Sequence, residues 1–220
     1  MAEEPAPRPA ARTLHYFYDP LCIWCYAAAP LVEAVRHVVN LPLALHGGGL
    51  FGGRHRRRCD EAWLVGMTAL EGRVADLTGQ RFCDTTQRSA LAARAPWLDS
   101  GVPIAAVEAA QQLGHDPAAF LAVLQSAWFA EGEAITELPV LQRLAARCDL
   151  PAADFAAALV RCQQQVQPHM RTSRRLLRAA GARGYPAFML ESGARWQVLD
   201  AGTFLGKPDH WAAHLAGLQH

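Results

Sequence analysis

The sequence predicts an α/β protein in which a strand–helix–strand unit and a later strand–strand–helix unit are separated by a long, all-helical insertion. The first observation is an alternating aromatic run at residues 14–18, followed by an alanine-rich amphipathic stretch and a second apolar run at residues 41–46. The second is helical spacing over nearly all of residues 60–180. The third is a pair of short apolar runs that flank a turn within residues 186–199, which predicts a hairpin.

The first unit reads as a strand that Asp19-Pro20 ends, a helix from Tyr26 to Val39, a turn at Asn40 and a second strand. The helix is alanine-rich, which favours helix formation. Its apolar side chains fall on one face, at Leu31, Val32, Val35 and Val39. A strand, a helix and a strand at this spacing form a βαβ unit, so we expect the two strands to be parallel.

Turn signals at Pro96, Gly132 and before Pro117 and Pro151 divide the helical block. The predicted helices cover residues 61–77, 85–95, 102–113, 117–130, 137–147, 152–167 and 170–180. A closing helix is predicted at residues 209–218. The chain thus divides into a flexible tail (residues 1–12), an α/β domain (13–59 and 181–220) and a helical insertion (60–180).

The composition excludes several classes of protein. The 220 residues are 51% hydrophobic and 19% charged, which is ordinary for a globular protein, and the net charge of +1 gives no case for a nucleic-acid or anionic-membrane partner. No apolar stretch is long enough to span a bilayer. The N-terminus is acidic and proline-rich, unlike a secretory signal, so we expect a cytoplasmic protein whose thiols stay reduced.

Two of the six cysteines, Cys22 and Cys25, stand two residues apart where the first strand turns into the first helix. At the first helical turn, unpaired backbone N–H groups stabilise a thiolate on Cys22, and the thiolate is the form that attacks disulfides. Cys25 lies one turn later, where it can bond to Cys22 or resolve a mixed disulfide. The pair therefore predicts a dithiol–disulfide redox site.

The remaining cysteines have no motif spacing and are interpreted as structural or incidental thiols, although a second redox pair among them stays open: Cys59, Cys83, Cys148 and Cys162.

Residues 19–26 resemble the D-P-x-C-x-W-C-Y run of cytosolic DsbA-like proteins described as predicted protein-disulfide isomerases, and residues 45–49 and 184–188 resemble the same group. The resemblance spans residues 13 to about 218. It implies a thioredoxin fold with a DsbA-like helical insertion, in which the α/β domain is thioredoxin-like. It also implies a thiol–disulfide oxidoreductase, with Cys22 as the exposed nucleophile and Cys25 as its buried partner.

The same resemblance implies that Pro186 follows a cis peptide bond and faces the cysteine pair. Because proline has no N–H, the strand edge there is incomplete, and the backbone of Tyr185 is free to pair with an extended substrate beside Cys22. Trp24, inside the exposed turn between the cysteines, is expected to contact substrate as well. Two residues depart from the family pattern, with Ile23 where relatives often have glycine and Tyr185 where they have threonine or valine.

Other functions remain open at this point. A C-x-x-C pair is also half of a zinc site, but no second pair of ligands accompanies it, so no metal is expected. Glutathione transferases of the kappa type and hydroxychromene-carboxylate isomerases share this fold, typically with serine at the position of Cys22. A non-enzymatic client-binding protein is the third alternative.

The expected partner is a thiol or disulfide, on a protein or on a small molecule. No resident cofactor is expected, and glutathione is a candidate co-substrate. The basic run Arg54–Arg58 reads as a solvated loop, or alternatively as a site for the carboxylates of glutathione or of an acidic client. The redox direction and the oligomeric state stay open.

Overall fold

The computed structural model describes residues 12–38 and 41–218. The strands are β1 (Arg12–Tyr18), β2 (Leu43–Gly47), β3 (Arg57–Arg58), β4 (Trp97–Leu98), β5 (Ala187–Ser192) and β6 (Arg195–Leu199). The helices are α1 (Ile23–Ala27), α2 (Ala29–Val35), α3 (Glu61–Thr78), α4 (Thr85–Arg94), α5 (Gly101–Gln112), α6 (Pro117–Phe129), α7 (Leu138–Arg147), α8 (Ala152–Ala179) and α9 (Pro208–Gly217). Short 3₁₀ turns lie at Gly53–His55 and Ala201–Phe204.

A four-stranded mixed sheet in the order β2–β1–β5–β6 forms the centre of the α/β part. The central strand β1 runs parallel to β2 and antiparallel to β5, with Phe17 opposite both His46 and Ala187. Strands β5 and β6 form an antiparallel hairpin. The parallel βαβ unit and the later hairpin are therefore both confirmed.

Both faces of β1 are buried, because its side chains alternate between two cores. Tyr16 belongs to the main core, in which its ring stacks on Phe188 of β5 at 4.6 Å, under helices α1, α2 and α9. Phe17 points to the opposite face and packs with Met189 of β5 and Leu177 of α8. The long helix α8 therefore covers the face of the sheet that α1 leaves open.

The first predicted helix is divided into α1 and α2, which was not expected. Ala28 separates the two, two residues before Pro30, which has no N–H to donate to the Tyr26 carbonyl and so cannot continue the hydrogen-bond ladder of α1. Arg12, assigned to the tail by the sequence, is the first residue of β1. The tail prediction for residues 1–11 and the predictions for Val39 and Asn40 lie outside the described residues.

The predicted break between helices 152–167 and 170–180 is wrong, because α8 is one helix of 28 residues with Pro168 inside it. Proline removes the hydrogen bond to the carbonyl four residues earlier. That carbonyl belongs to Gln164, which is exposed, as is Pro168, so water can satisfy it. The continuous helix matters because His169 accepts from the amide of Gly47, the last residue of β2, and because Met170 and Arg174 lie against the glycines that follow.

The predicted helical insertion is interrupted by one short strand. Strand β4 pairs antiparallel with β3, and the Cys59 amide donates to the Pro96 carbonyl at 2.9 Å. The guanidinium of Arg58 lies 4.3 Å from the centre of the Trp97 ring. Trp97 is 44% exposed, and its ring provides the surface on which this arginine stacks.

A chain of hydrogen-bonded side chains crosses the sheet on the α8 face. His15 Nε2 lies 3.0 Å from a Glu191 carboxylate oxygen, and His15 Nδ1 lies 2.8 Å from His46 Nε2. Burial, followed by the charges of His15 and His169, lowers the pKa of His46 to about 4. These contacts connect His15 of β1 to both neighbouring strands, β2 and β5.

The histidine chain predicts a loss of stability in mild acid. Unfolded His46 takes up a proton near pH 6.5, whereas the folded ring stays neutral down to about pH 4. Between these two pH values the unfolded state binds more protons than the folded state. The free energy of unfolding therefore falls as the pH falls, by up to ~1.4 kcal/mol per pH unit. Urea unfolding at pH 7 and pH 5 measures this, and His46→Gln should lose less stability between the two pH values than the wild type. Equal losses in the two proteins would contradict it.

Gly206 joins the C-terminal segment to the end of α3, and it predicts a second effect on stability. Its φ is +76°, and an added Cβ would lie 2.2 Å from the backbone oxygen of Leu77. Gly206→Ala should therefore cost about 2–4 kcal/mol of unfolding free energy, from left-handed strain and a backbone clash together. Gly79→Ala is the matched control, because Gly79 has φ +71° with open space around it and should cost only about 1–2 kcal/mol. Equal costs would show that the clash relaxes freely.

Candidate active site

The end of β1 and the start of α1 fix the position of Cys22. A turn closed by the Cys22 amide and the Asp19 carbonyl, 3.1 Å apart, leads from the strand into the helix. Cys22 is the N-cap residue of α1, with extended backbone angles, and its carbonyl accepts from the Tyr26 amide at 3.0 Å. The sequence placed Cys22 at or just before the first helical turn, and the structure agrees.

The two thiols differ in exposure less than expected. Cys25 is fully buried, and Cys22 is only 6% exposed, so the expectation of an exposed Cys22 is wrong. The Cys22 thiol lies under the loop before β5, where its sulfur donates to the Tyr185 carbonyl at 3.6 Å. All six cysteines are free thiols, so this is the reduced form of the site.

The two cysteines have opposite acidity. A hydrogen bond from the Cys25 thiol lowers the pKa of Cys22, with smaller help from the backbone N–H groups of Cys25 and Trp24, against the opposing effects of burial and of Asp19. Burial is the main cause that raises the pKa of Cys25 well above its usual range, and the hydrogen bond that the Cys25 thiol donates to Cys22 is the next cause. The arrangement favours a thiolate on Cys22 while Cys25 keeps its proton.

A buried carboxyl group lies directly against the pair. Asp19 is fully buried, its backbone N–H donates to the Cys25 sulfur at 3.4 Å, and its side chain accepts from the amides of Leu21 and Leu50. Burial raises the pKa of this carboxyl, against the hydrogen bonds that hold it down. The sequence gave Asp19 only the role of a strand terminator, although a lone acidic residue between an aromatic strand and C-x-x-C could have marked it.

Arg174 of α8 forms hydrogen bonds with the glycine segment that follows β2 (residues 48 and 49), next to the site. Its guanidinium donates to the carbonyls of Gly48 and Gly49, each at 2.6 Å. An added Cβ at Gly48 would lie 2.0 Å from the Tyr185 hydroxyl, so only glycine allows the tyrosine ring to lie there. No local pattern in the sequence marks Arg174.

The three residues predicted to bind substrate line one open cavity of about 420 Å³: Trp24, Tyr185 and Pro186. The Tyr185–Pro186 peptide bond is cis, as the resemblance implied. Trp24 is half-buried, with the Arg73 guanidinium 5.5 Å from its ring centre. The structure thus brings the residues together beside Cys22, and their binding roles stay a prediction.

The basic run Arg54–Arg58 is partly engaged in holding its own loop. Arg56 pairs with Asp99 at 3.0 Å, and Arg58 donates to the Ala95 carbonyl at 3.0 Å. These contacts account for two of the run's four arginines as structural groups.

The cysteines outside the pair have raised pKa values, and burial is the main cause in each: Cys59 (to about 12), Cys83, Cys148 and Cys162. Such thiols are weak nucleophiles at neutral pH.

Over residues 12–38 and 41–218, no three His, Cys, Asp or Glu side chains gather in a way that could hold a metal ion. None of the helices in these two ranges is both long and apolar enough to cross a membrane.

Comparison with solved structures finds full-length similarity. The cytosolic disulfide reductase DsbM of Pseudomonas aeruginosa is 41% identical, with a TM-score of 0.85, over 94% of this chain and 98% of that one. A structure of DsbM with GSH is 40% identical, with a TM-score of 0.84 and the same coverage. A candidate protein disulfide isomerase of Nitrosomonas europaea, 20% identical over 95% of this chain and 98% of that one, shares the fold with a TM-score of 0.75. No protein-family model and no curated protein matches the chain.

The hydrogen bond between the two thiols predicts different effects for two substitutions of Cys25. Cys25→Ala removes the donor and should raise the pKa of Cys22, because the thiolate loses the hydrogen bond that stabilises it most. Cys25→Ser keeps a donor and should leave the pKa close to that of the wild type. The pH dependence of Cys22 alkylation by iodoacetamide measures both. Identical profiles for the two variants would show that the Cys25 thiol contributes nothing to the acidity of Cys22.

Proposed function

The chain belongs to the DsbA-like family of thiol–disulfide oxidoreductases in the thioredoxin superfamily, and we therefore propose that it is a disulfide reductase that takes its electrons from glutathione. The observation that carries the proposal is the opposite acidity of Cys22 and Cys25 within one helical turn. The 41% identical relative is described as a disulfide reductase, and the structure of that relative with GSH supports glutathione as the electron donor.

Cys22 is the nucleophile in this proposal. Its thiolate attacks one sulfur of the substrate disulfide, so that a new S–S bond joins Cys22 to the substrate and the old S–S bond breaks. The departing sulfur leaves as a thiolate and takes up a proton from water. A lowered pKa suits this step, because it raises the fraction of Cys22 that is ionised at neutral pH.

Cys25 then resolves the mixed disulfide. It attacks the sulfur of Cys22 and displaces the second substrate thiolate, which takes the proton that Cys25 gives up. The Asp19 amide, 3.4 Å from the Cys25 sulfur, favours the negative charge that forms there. The products are two substrate thiols and a Cys22–Cys25 disulfide.

Two glutathione molecules return the site to its reduced state. The first, as a thiolate, attacks Cys22 and displaces Cys25, which is reprotonated, and a mixed disulfide of glutathione and Cys22 forms. The second attacks the glutathione sulfur of that mixed disulfide, which releases glutathione disulfide and the Cys22 thiolate. The cycle therefore oxidises two glutathione thiols for each substrate disulfide that it reduces.

The substrate would lie in the cavity beside Pro186. Trp24 offers an aromatic wall, and cis-Pro186 has no N–H, so the Tyr185 backbone next to it can pair with an extended peptide. Because the Cys22 thiol already donates to the Tyr185 carbonyl, a peptide amide that pairs there would lie within reach of the sulfur.

Cytoplasmic action fits this chemistry. The 41% identical relative is described as cytosolic, and reduced thiols prevail in that compartment. Of the alternatives, a kappa-type transferase or an isomerase would not need a second cysteine against the first. A non-enzymatic client-binding protein would not need the two thiols held at different acidities.

Turnover of a small disulfide tests the proposal. We expect the wild type to reduce 2-hydroxyethyl disulfide with glutathione, followed by NADPH oxidation in the presence of glutathione reductase, and Cys22→Ser to fall to the uncatalysed background. Cys25→Ser treated with glutathione disulfide in the absence of free glutathione should keep one glutathione adduct on Cys22, visible by mass spectrometry. Cys148→Ser, a thiol outside the site, is the control and should behave as the wild type. Reduction that persists in Cys22→Ser would refute the role of Cys22, and glutathione conjugation kept in Cys25→Ala would favour a transferase.

A further inference from the structure

A second open cavity, of about 490 Å³, lies between the C-terminal half of α8 and the loop that leads to Pro186. Three arginines line it, Arg174, Arg178 and Arg183, together with Tyr185, and no aspartate or glutamate is among its lining residues. An open cavity with three cationic side chains and no acidic one is suited to an anionic ligand.

Two of these arginines are available to such a ligand. Arg178 and Arg183 are exposed, and within the described ranges no carboxylate oxygen lies within 4.0 Å of either guanidinium. Arg174 is held in place instead, because its Nε and one Nη donate to the carbonyls of the glycine segment. The cavity therefore combines one fixed cation with two that are free to close on an anion.

Tyr185 connects this cavity to the reactive sulfur. Its backbone carbonyl accepts from the Cys22 thiol at 3.6 Å, while the residue also lines the arginine cavity. Ala182, Arg183 and Tyr185 line both this cavity and the one that contains Trp24 and Pro186. The two cavities thus share a wall, and a ligand whose sulfur reaches Cys22 can extend across it.

We propose that the arginine cavity binds a carboxylate of glutathione while the sulfur of the same molecule reaches Cys22. Glutathione carries its thiol in the middle of a tripeptide with a carboxylate at either end, so one molecule offers a sulfur for Cys22 and an anionic group for the arginines. An arginine fork binds a carboxylate through two parallel hydrogen bonds. The inference rests on the proposed use of glutathione and assigns the residues that would select it over uncharged thiols.

Binding of a redox-inert analogue separates this inference from the chemistry of the thiols. Isothermal titration calorimetry would compare S-methylglutathione with its dimethyl ester, which has the same shape without the two negative charges. The test variant is Arg178→Gln/Arg183→Gln. The control is Arg171→Gln/Arg175→Gln, which removes two exposed charges from α8 that line neither cavity.

We expect the wild type and the control to bind the free acid about tenfold more tightly than the ester, because charge-assisted pairs to arginine are lost in the ester. The test variant, which keeps only Arg174 in the cavity, should lose most of this preference. The inference is overturned if the wild type does not bind the acid, if it does not prefer the acid, or if the test variant keeps the preference.

Failure of the proposed function would look different. Dithiothreitol carries no carboxylate, so reduction of 2-hydroxyethyl disulfide with dithiothreitol depends on Cys22 and Cys25 and needs no anion site. If the wild type reduces the disulfide in this assay but does not prefer the acid, only the inference about the arginine cavity is refuted. If the wild type prefers the acid but reduces no disulfide, the proposed reductase function is refuted.

Discussion

The pairing between β1 and β5 brings together two parts of the chain that are far apart in sequence. Phe17 lies opposite Ala187, so the residues that follow β1 and those that precede β5 meet at the same end of the sheet. Cys22 and Tyr185 are 163 residues apart, yet the sulfur of one donates to the carbonyl of the other. A slip of one residue would turn Tyr16 and Phe17 to the wrong cores, so the burial of both faces holds the register and with it the site.

The buried surroundings of the dithiol determine how its charge is divided. Burial alone would raise the pKa of both cysteines, and the Asp19 carboxyl acts in the same direction. The hydrogen bond from Cys25 to Cys22 breaks this equivalence, because it stabilises the anion on one sulfur and the proton on the other. Asp19 at the same time donates its amide N–H to the Cys25 sulfur, so a single residue limits the acidity of Cys22 and, in the proposed reaction, favours the thiolate on Cys25.

The sequence predicted those features that local patterns encode. The N-cap position of Cys22, the parallel βαβ unit and the hairpin each follow from periodicity and turn residues within a few positions. The contact of Arg174 with Gly48, and the burial of Cys22 under the loop of Tyr185, depend on segments more than a hundred residues apart, and no local pattern specifies them. The continuity of α8 through Pro168 depends on which side of the helix faces water, which is a property of the packed fold.

The bond between the Cys22 thiol and the Tyr185 carbonyl exists only while the sulfur carries its proton. A thiolate has nothing to donate, and neither does a sulfur in a disulfide, so ionisation or oxidation of Cys22 leaves that carbonyl without its partner. In the proposed reaction, this carbonyl would then accept a hydrogen bond from the amide of an incoming peptide. Loss of one proton from Cys22 would thus both produce the thiolate and free the Tyr185 carbonyl for a substrate.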